Sequence, residues 1–136
     1  IMSDIMGTSN SKTRKNMIFA TVLRAENLKE LDWVEKHSPY IQMIAGGKSC
    51  KTVQVKGTLS PEWSNGSTFF FRVGPEEDIT FRAFETDPWG EDYDLGSVSV
   101  PVSQLTPNDT IEQSFELEAG NGGIVHVQFL YCVWSD

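Results

Sequence analysis

The sequence lacks several patterns that mark whole classes of proteins. It has no apolar run of about 18 residues, so no segment is suited to cross a membrane as a helix. Its first 16 residues carry no apolar signal core, which predicts a cytoplasmic rather than a secreted protein. Helical periodicity is almost absent and no internal repeat occurs, which points away from a helical fold.

Residues that carry catalytic or metal chemistry are few. The two cysteines, Cys50 and Cys132, lie far apart without metal-type spacing, so we expect buried free thiols. The histidines, His37 and His126, have no nucleophile at a motif spacing. Neither a Gly-x-Ser-x-Gly segment nor a phosphate-binding glycine loop occurs. We therefore expect that the chain is not an enzyme.

Basic residues are outnumbered, with 11 lysines and arginines against 19 aspartates and glutamates and a net charge of −8. This balance argues against nucleic acid as a partner and against general attraction to an anionic membrane. Any membrane contact must be local, or bridged by a cation. The length of 136 residues suits one domain, which we place at residues 17–136 after a polar N-terminal tail at residues 1–16.

Eight short segments rich in β-branched and aromatic residues are separated by Gly, Pro and Asn turns. Such segments predict β-strands. Their number and spacing predict an all-β fold, an eight-stranded antiparallel β-sandwich. The predicted strands are residues 17–25, 40–44, 49–56, 67–73, 79–84, 97–102, 112–117 and 124–131.

An acidic, aromatic segment at residues 84–96 lies between two of these strands. It carries five carboxylates and no basic residue. Like charges this close repel one another, and a hard cation held by oxygen ligands would neutralise them. The alternative is a solvated turn on an acidic protein. The five carboxylates are Glu85, Asp87, Glu91, Asp92 and Asp94.

Six segments together resemble the C2 domain, a family of calcium- and lipid-binding β-sandwiches. They follow the family's order over about residues 17–131, and the more specific ones are Ser-Pro-Tyr at 38–40 and Leu-Ser-Pro-Glu-Trp at 59–63. The resemblance implies a Greek-key β-sandwich with calcium-binding loops at one end. The segments are residues 25–28, Asp32, and residues 38–40, 58–63, 85–87 and 95–96.

The glycine-led segment at residues 123–129 looks like a strand that this family places at either end of the chain. Here it lies near the C-terminus, and residues 1–16 show no strand pattern. The resemblance therefore implies the permuted, type II topology. In that topology residues 123–131 pair within a sheet, and the tail adds no core strand.

The resemblance also implies a calcium site built from two loops. Of the five ligand positions, two hold matching aspartates, Asp32 and Asp87, and one holds a glutamate, Glu85, in place of an aspartate. Asp92 and Asp94 flank a fourth position, and a slip of one residue would bring either into place. Non-acidic residues, Ser38 and Tyr93, occupy two ligand positions. Calcium takes 6–8 oxygens and binds more weakly as ligand charge is lost, so we expect one weakly bound ion or none. The predicted ligands are Asp32, Glu85, Asp87, Asp92 and Asp94.

Two tryptophans, Trp33 and Trp89, follow closely on predicted ligands, and the resemblance implies that both lie at the tips of the calcium-binding loops. Exposed tryptophan suits the membrane interface, where one side is apolar and the other wet. The sequence therefore predicts that both insert into membrane, the alternative being that each folds back onto the sandwich. Trp63 is different, because the resemblance places it in the core.

Three lysines form a thin basic patch on or near the predicted third strand. These lysines are predicted lipid phosphate contacts, and the alternative is solvated surface charge. They are Lys48, Lys51 and Lys56.

We thus predict a calcium-assisted phospholipid-docking module that associates peripherally with membranes, within a larger protein or as a small adaptor. The alternative is a calcium-independent C2 domain that binds a protein partner through its sheet faces. Ser38 and Tyr93 favour that alternative, whereas Trp33 and Trp89 favour membrane. A third interpretation, an extracellular adhesion sandwich, lacks the disulfide framework it would be expected to have.

Overall fold

Two four-stranded antiparallel sheets pack face to face in the computed structural model, which describes residues 16–65 and 67–134. A single turn of 3-10 helix at Val102–Gln104 follows the sixth strand. Within the described residues no helix is long and apolar enough to cross a membrane. The strands are β1 Asn16–Glu26, β2 Pro39–Ala45, β3 Lys48–Lys51, β4 Thr68–Val73, β5 Asp78–Glu85, β6 Tyr93–Pro101, β7 Thr110–Glu116 and β8 Ile124–Cys132.

The strand order is β4-β1-β8-β7 in one sheet and β3-β2-β5-β6 in the other. This arrangement confirms the predicted all-β, eight-stranded sandwich. The C-terminal strand β8 pairs with β1 on one side and with β7 on the other, as the type II topology requires. The prediction that the tail adds no core strand falls on residues 1–15, which lie outside the described part. Asn16, placed in the tail by the sequence, begins β1.

The core forms because the inward positions of both sheets are apolar, with the alternation expected of strands that have one buried face. Ile79, Phe81 and Ala83 of β5 are fully buried. The Phe81 ring lies 6.0 Å from the rings of both Phe115 and Phe129, so aromatic contacts join the two sheets.

Trp63 packs in this core, as predicted, and is 7% exposed. Its indole Nε1 donates a hydrogen bond of 2.8 Å to the carbonyl of Val53, which satisfies its buried polar atom. Its backbone amide donates to the carbonyl of Leu23 at 3.0 Å. Trp63 therefore fixes the segment after β3 against β1.

Three details differ from the sequence prediction. The third strand is shorter than residues 49–56, because Thr52 bonds back to Ile41 through both its amide and its side chain and leaves the regular ladder. Strand β6 begins at Tyr93 rather than at residue 97, which shortens the acidic segment between the strands to residues 86–92. Cys50 and Cys132 are free, as expected, but half-buried rather than buried.

Candidate functional site

Two loops meet at one end of the sandwich: the first loop, residues 27–38, and the acidic loop, residues 86–92. They are neighbours because Pro39, the first residue of β2, pairs with Glu85, the last residue of β5, so the first loop enters and the acidic loop leaves at the same end of the sheet. Thr86 then bonds across to the carbonyl of Ser38, at 3.3 Å from its amide and 2.8 Å from its hydroxyl. The sheet thus fixes where both loops begin.

Glu85 lies beneath the two loops and is 1% exposed. One carboxylate oxygen accepts a hydrogen bond from the Ser38 amide, and the other lies 3.2 Å from His37 Nδ1. His37 Nε2 in turn lies 3.7 Å from a carboxylate oxygen of Glu30. Since a buried carboxylate needs such partners, these contacts tie the first loop to β5. Both Glu85 oxygens are therefore engaged within the protein.

The acidic loop is held by its own carboxylates. The Asp87 amide donates to Asp92 Oδ1 at 2.9 Å, and the Trp89 amide donates to Asp87 Oδ1 at 2.9 Å. The hydroxyl of Tyr40 donates to Asp92 Oδ2, and that of Tyr93 hydrogen-bonds Asp87. Backbone amides and phenols thus hydrogen-bond two of the five carboxylates of the acidic segment, Asp87 and Asp92.

The remaining two predicted ligands lie on the first loop and on β6. Asp32 is exposed on the first loop. Asp94 lies in β6, where one oxygen accepts from the Gly96 amide at 2.8 Å and the other lies 3.9 Å from Arg82 Nε of β5. Asp94 therefore contacts the sheet.

These contacts shift the pKa values of three side chains, those of Tyr40, Tyr93 and Asp92. Burial, together with the hydrogen bond and charge of Asp92, raises the pKa of Tyr40. The hydrogen bond to Asp87 is the main cause that raises the pKa of Tyr93. Burial alone would raise the pKa of Asp92, but hydrogen bonds from Tyr40 and the Asp87 amide, with nearby Lys51, outweigh it and lower that pKa.

We predict that Tyr40 and Tyr93 ionise above the pKa of about 10 of a free tyrosine. Because the folded state raises these pKa values, the neutral phenols stabilise the fold below about pH 10, and that stability is lost as the pH rises further. Tyrosinate absorbance and circular dichroism during an alkaline titration measure both effects. Asp92→Asn should bring the Tyr40 transition part of the way back. Ionisation of all three tyrosines near pH 10 in folded protein would contradict this.

In this conformation of the loops, the predicted calcium ligands do not form a coordination site. Among residues 16–65 and 67–134, no group of three or more His, Cys, Asp or Glu side chains is placed to hold a metal ion. The oxygens of Glu85, Asp87 and Asp92 are already bonded within the protein. These residues therefore do not fit a preformed site of 6–8 oxygens. The five-residue ligand set stays a prediction.

The two loop tryptophans are exposed, Trp33 to 65% and Trp89 to 94%. They line one groove of about 380 Å³ between the two loops. The Trp33 ring packs edge-on against Tyr93, with 5.7 Å between centroids, so one side of it is supported. Trp89 follows Pro88 in the acidic loop and is almost fully in solvent. Insertion of either into a membrane stays a prediction.

The three lysines predicted to contact lipid phosphate do not share a patch. Lys48 lies at the far end of the sandwich, where its Nζ is 4.3 Å from the Phe70 ring centroid and donates to the Phe70 carbonyl. Lys51 lies 5.2 Å over the Tyr40 ring. Lys56 reaches the loop end, where it lines a cavity with Lys36 of the first loop, a residue that sequence analysis did not single out.

A polar chain on the outer face of the first sheet was also missed. Ser114 Oγ lies 2.7 Å from His126 Nδ1, and His126 Nε2 lies 2.9 Å from Glu26 Oε1. The His126 hydrogen bond lowers the pKa of Glu26. The order serine, histidine, carboxylate is that of a hydrolytic triad, but such a nucleophile also needs oxyanion donors. Because Ser114 lies within β7 on an open sheet face, we interpret these hydrogen bonds as structural contacts that join β7, β8 and β1.

The sequence profile of the C2 domain matches residues 16–117. The chain therefore belongs to the C2 domain family, which confirms the resemblance seen in the sequence. Extended synaptotagmin-1 of Pongo abelii is 31% identical over 105 residues, which is 75% of this chain and 9% of that protein. A calcium-dependent lipid-binding protein of Arabidopsis thaliana is 29% identical over 101 residues, 74% of this chain and 20% of that protein.

A solved structure supports the same fold. A single C2 domain of a plant extended synaptotagmin 1 superimposes with a TM-score of 0.78 at 20% identity, covering 89% of this chain and 97% of that one. By contrast, the chain spans only 9% to 22% of the length of the curated relatives it matches first. What those whole proteins do is therefore not carried over by the match.

Proposed function

We propose that this C2 domain docks peripherally to phospholipid membranes through the end of the sandwich where the first loop and the acidic loop meet. The observation that carries the proposal is the exposure of Trp33 and Trp89 together at those two loop tips. Large aromatic side chains left in water are unfavourable, and neighbouring ones mark an interaction site. Tryptophan, apolar with one polar N–H, suits the membrane interface.

The hydrogen bonds beneath the two loops hold the loops in one conformation. Glu85 fixes the first loop through His37 and the Ser38 amide, and the acidic loop is closed by Asp92. The tips are therefore presented on a rigid base, and little ordering is left to accompany docking. The chain's net charge of −8 opposes approach to an anionic surface, so the favourable contacts must lie at the tips themselves.

The relatives support the proposal to a limited degree. One of them is named a calcium-dependent lipid-binding protein, and it matches 74% of this chain. Since the chain spans a small part of its relatives, we propose that it acts as a docking module in a larger protein or as a small adaptor, with no catalytic role of its own. The proposed location is the cytoplasmic face of a membrane.

Co-sedimentation with vesicles of phosphatidylcholine and phosphatidylserine tests the proposal. We expect the chain to pellet with vesicles and to stay in solution without them, with calcium and with chelator. Recovery of all the protein in the supernatant at high lipid concentration, in both conditions, would overturn it.

Calcium itself is a separate prediction. Because two ligand positions hold Ser38 and Tyr93 and the carboxylates are engaged internally, we expect a Kd of about 10⁻⁴ M or weaker at Asp32, Glu85 and Asp87. Mass action then limits the added stability in millimolar calcium to about 1.4 kcal/mol. Thermal unfolding with calcium, with magnesium and with chelator measures it. A larger rise in Tm, specific to calcium, would show a preformed site and contradict the geometry.

A second candidate function rests on a different surface. Phe19 of β1 and Phe70 of β4 are adjacent on the outer face of the first sheet, with rings 6.2 Å apart and exposures of 38% and 48%. This favours the calcium-independent protein-interaction alternative, in which a partner covers that face. Phe19→Ser with Phe70→Ser would then abolish partner binding and leave vesicle binding intact.

A further inference from the structure

We propose that the outer edge of β4 is a surface for association with a second copy of this chain, and that the turn between β2 and β3 keeps it closed. In its sheet β4 is a terminal strand, which pairs with β1 on one side. Within the described part of the chain, the backbone groups on its other side have no strand partner. Such a row of unpaired groups can pair with a strand of another molecule.

One ladder hydrogen bond shows which backbone groups of this segment face the open side. The Val22 amide donates to the Ser67 carbonyl at 3.1 Å, so the backbone groups of Ser67 face β1. Neighbouring residues of a strand direct their backbone groups to opposite sides. The amides and carbonyls of Thr68, Phe70 and Arg72 therefore face away from β1, where a further strand could bond to them.

The side chains of β4 favour such pairing. Its three consecutive phenylalanines, residues 69–71, give it a high β-propensity with no charge among them. Phe70 is 48% exposed on the outer face of the sheet, beside Phe19 of β1 at 38%. An apolar edge strand of this kind is an association site unless other parts of the protein cover it.

Two residues of the β2–β3 hairpin cover this edge. Gly46 lies against the Arg72 carbonyl, because a Cβ added at Gly46 would lie 2.2 Å from that oxygen. The φ of +57° at Gly46 also favours glycine. Lys48 Nζ donates to the Phe70 carbonyl at 2.9 Å and lies 4.3 Å from the Phe70 ring centroid. Both carbonyls are thus covered from the other sheet, and a lysine at an edge is a known means of preventing pairing.

The strand is complementary to itself, which is why we assign a second copy as the occupant. In an antiparallel pair centred on Phe70, each Phe70 lies opposite its equivalent, and Thr68 lies opposite Arg72 of the second copy. Aromatic pairs are favourable in such positions, and no like charges meet. The Phe19 and Phe70 rings of both copies would then form one continuous apolar surface. The net charge of −8 on each copy opposes this, so the contacts at the edge decide the balance.

Antiparallel pairing would also affect the membrane docking proposed above. The first loop and the acidic loop lie at one end of the strands. When equivalent strands pair antiparallel, those ends point in opposite directions, so one membrane can meet the loops of one copy only. Lys48 thereby keeps each copy in the form that can use its own loop end.

Sedimentation velocity over a range of concentrations, at physiological ionic strength, tests the inference. Lys48→Met keeps the aliphatic stem and removes the ammonium, whereas Lys48→Arg keeps a charged donor. Lys51→Met is the matched control, because it makes the same change at the other end of β3, where Lys51 lies over Tyr40. We expect Lys48→Met to dimerise with a dissociation constant about tenfold or more below that of wild type. Lys48→Arg and Lys51→Met should behave as wild type does.

A further variant tests where the two copies meet. Lys48→Met combined with Phe70→Lys places two like charges opposite each other at the centre of the contact, so the dimer should be lost. A dimer that persists in this double variant would overturn the inference. So would a monomeric Lys48→Met at the highest concentration, or equal dimerisation by Lys51→Met.

Hydrogen exchange reads the same edge without a second substitution. The amides of Thr68, Phe70 and Arg72 should become protected in Lys48→Met as its concentration rises, and unchanged exchange at all three would contradict pairing through β4. These measurements need no vesicles, so the inference and the proposed membrane docking fail or succeed separately.

Discussion

A chain that ends before Gly123 is expected not to fold. The truncation removes β8, which lies between β1 and β7 and supplies both with their ladder partners. It also removes the core side chains Val125, Val127 and Phe129, all essentially without exposure. Each is worth about 1.5–3 kcal/mol when fully buried, so the three contribute about 5–9 kcal/mol. That is comparable to the whole stability of about 5–15 kcal/mol of an ordinary domain.

Circular dichroism and urea unfolding measure the effect. We expect the truncated chain to show no cooperative transition, whereas the full chain shows one. Deleting residues 1–15 is the matched control, because the sequence predicts no core strand there and hence little change in stability. A cooperative transition in the chain that ends at residue 122 would show that β1 and β7 pair without β8, which the sheet order contradicts.

The sandwich could be predicted from the sequence because its signals are local. Alternation with period two marks a strand whichever partner it finds, and the core positions of β5 and β8 follow it directly. Trp63 could be placed in the core only from the resemblance. The early end of β3 could not be predicted, because Thr52 leaves the ladder through a bond to Ile41 that no local pattern records.

The chemistry of the loop end was harder to predict, because charge in a sequence does not show what a side chain touches. Glu85 and Asp87 are both acidic and two residues apart, yet Glu85 is 1% exposed beneath His37 whereas Asp87 closes the outer loop. The cavity lysines were missed in part for a similar reason. Lys36 and Lys56 come from separate loops, and only the fold brings them to one cavity.

The two loop tryptophans should carry most of the affinity for vesicles, and Trp89 more than Trp33. A tryptophan can bury about 150–250 Å², an upper limit of about 4–6 kcal/mol at 25 cal/mol per Å². Insertion of about half that area would be worth roughly 2–3 kcal/mol, or about a 30- to 150-fold change in affinity. Trp89, at 94% exposure, has nearly all its area to gain, whereas Trp33 is 65% exposed and already packs on Tyr93.

Co-sedimentation and tryptophan fluorescence of Trp89→Ala, Trp33→Ala and Trp134→Ala measure the difference. Trp134 is the matched control, because it is 58% exposed but follows β8 at the end of the sandwich away from the loops. We expect unchanged Tm in all three variants, weakened binding in the order Trp89 then Trp33, and full binding by the control. Equal binding by all three would remove the tryptophans from the mechanism.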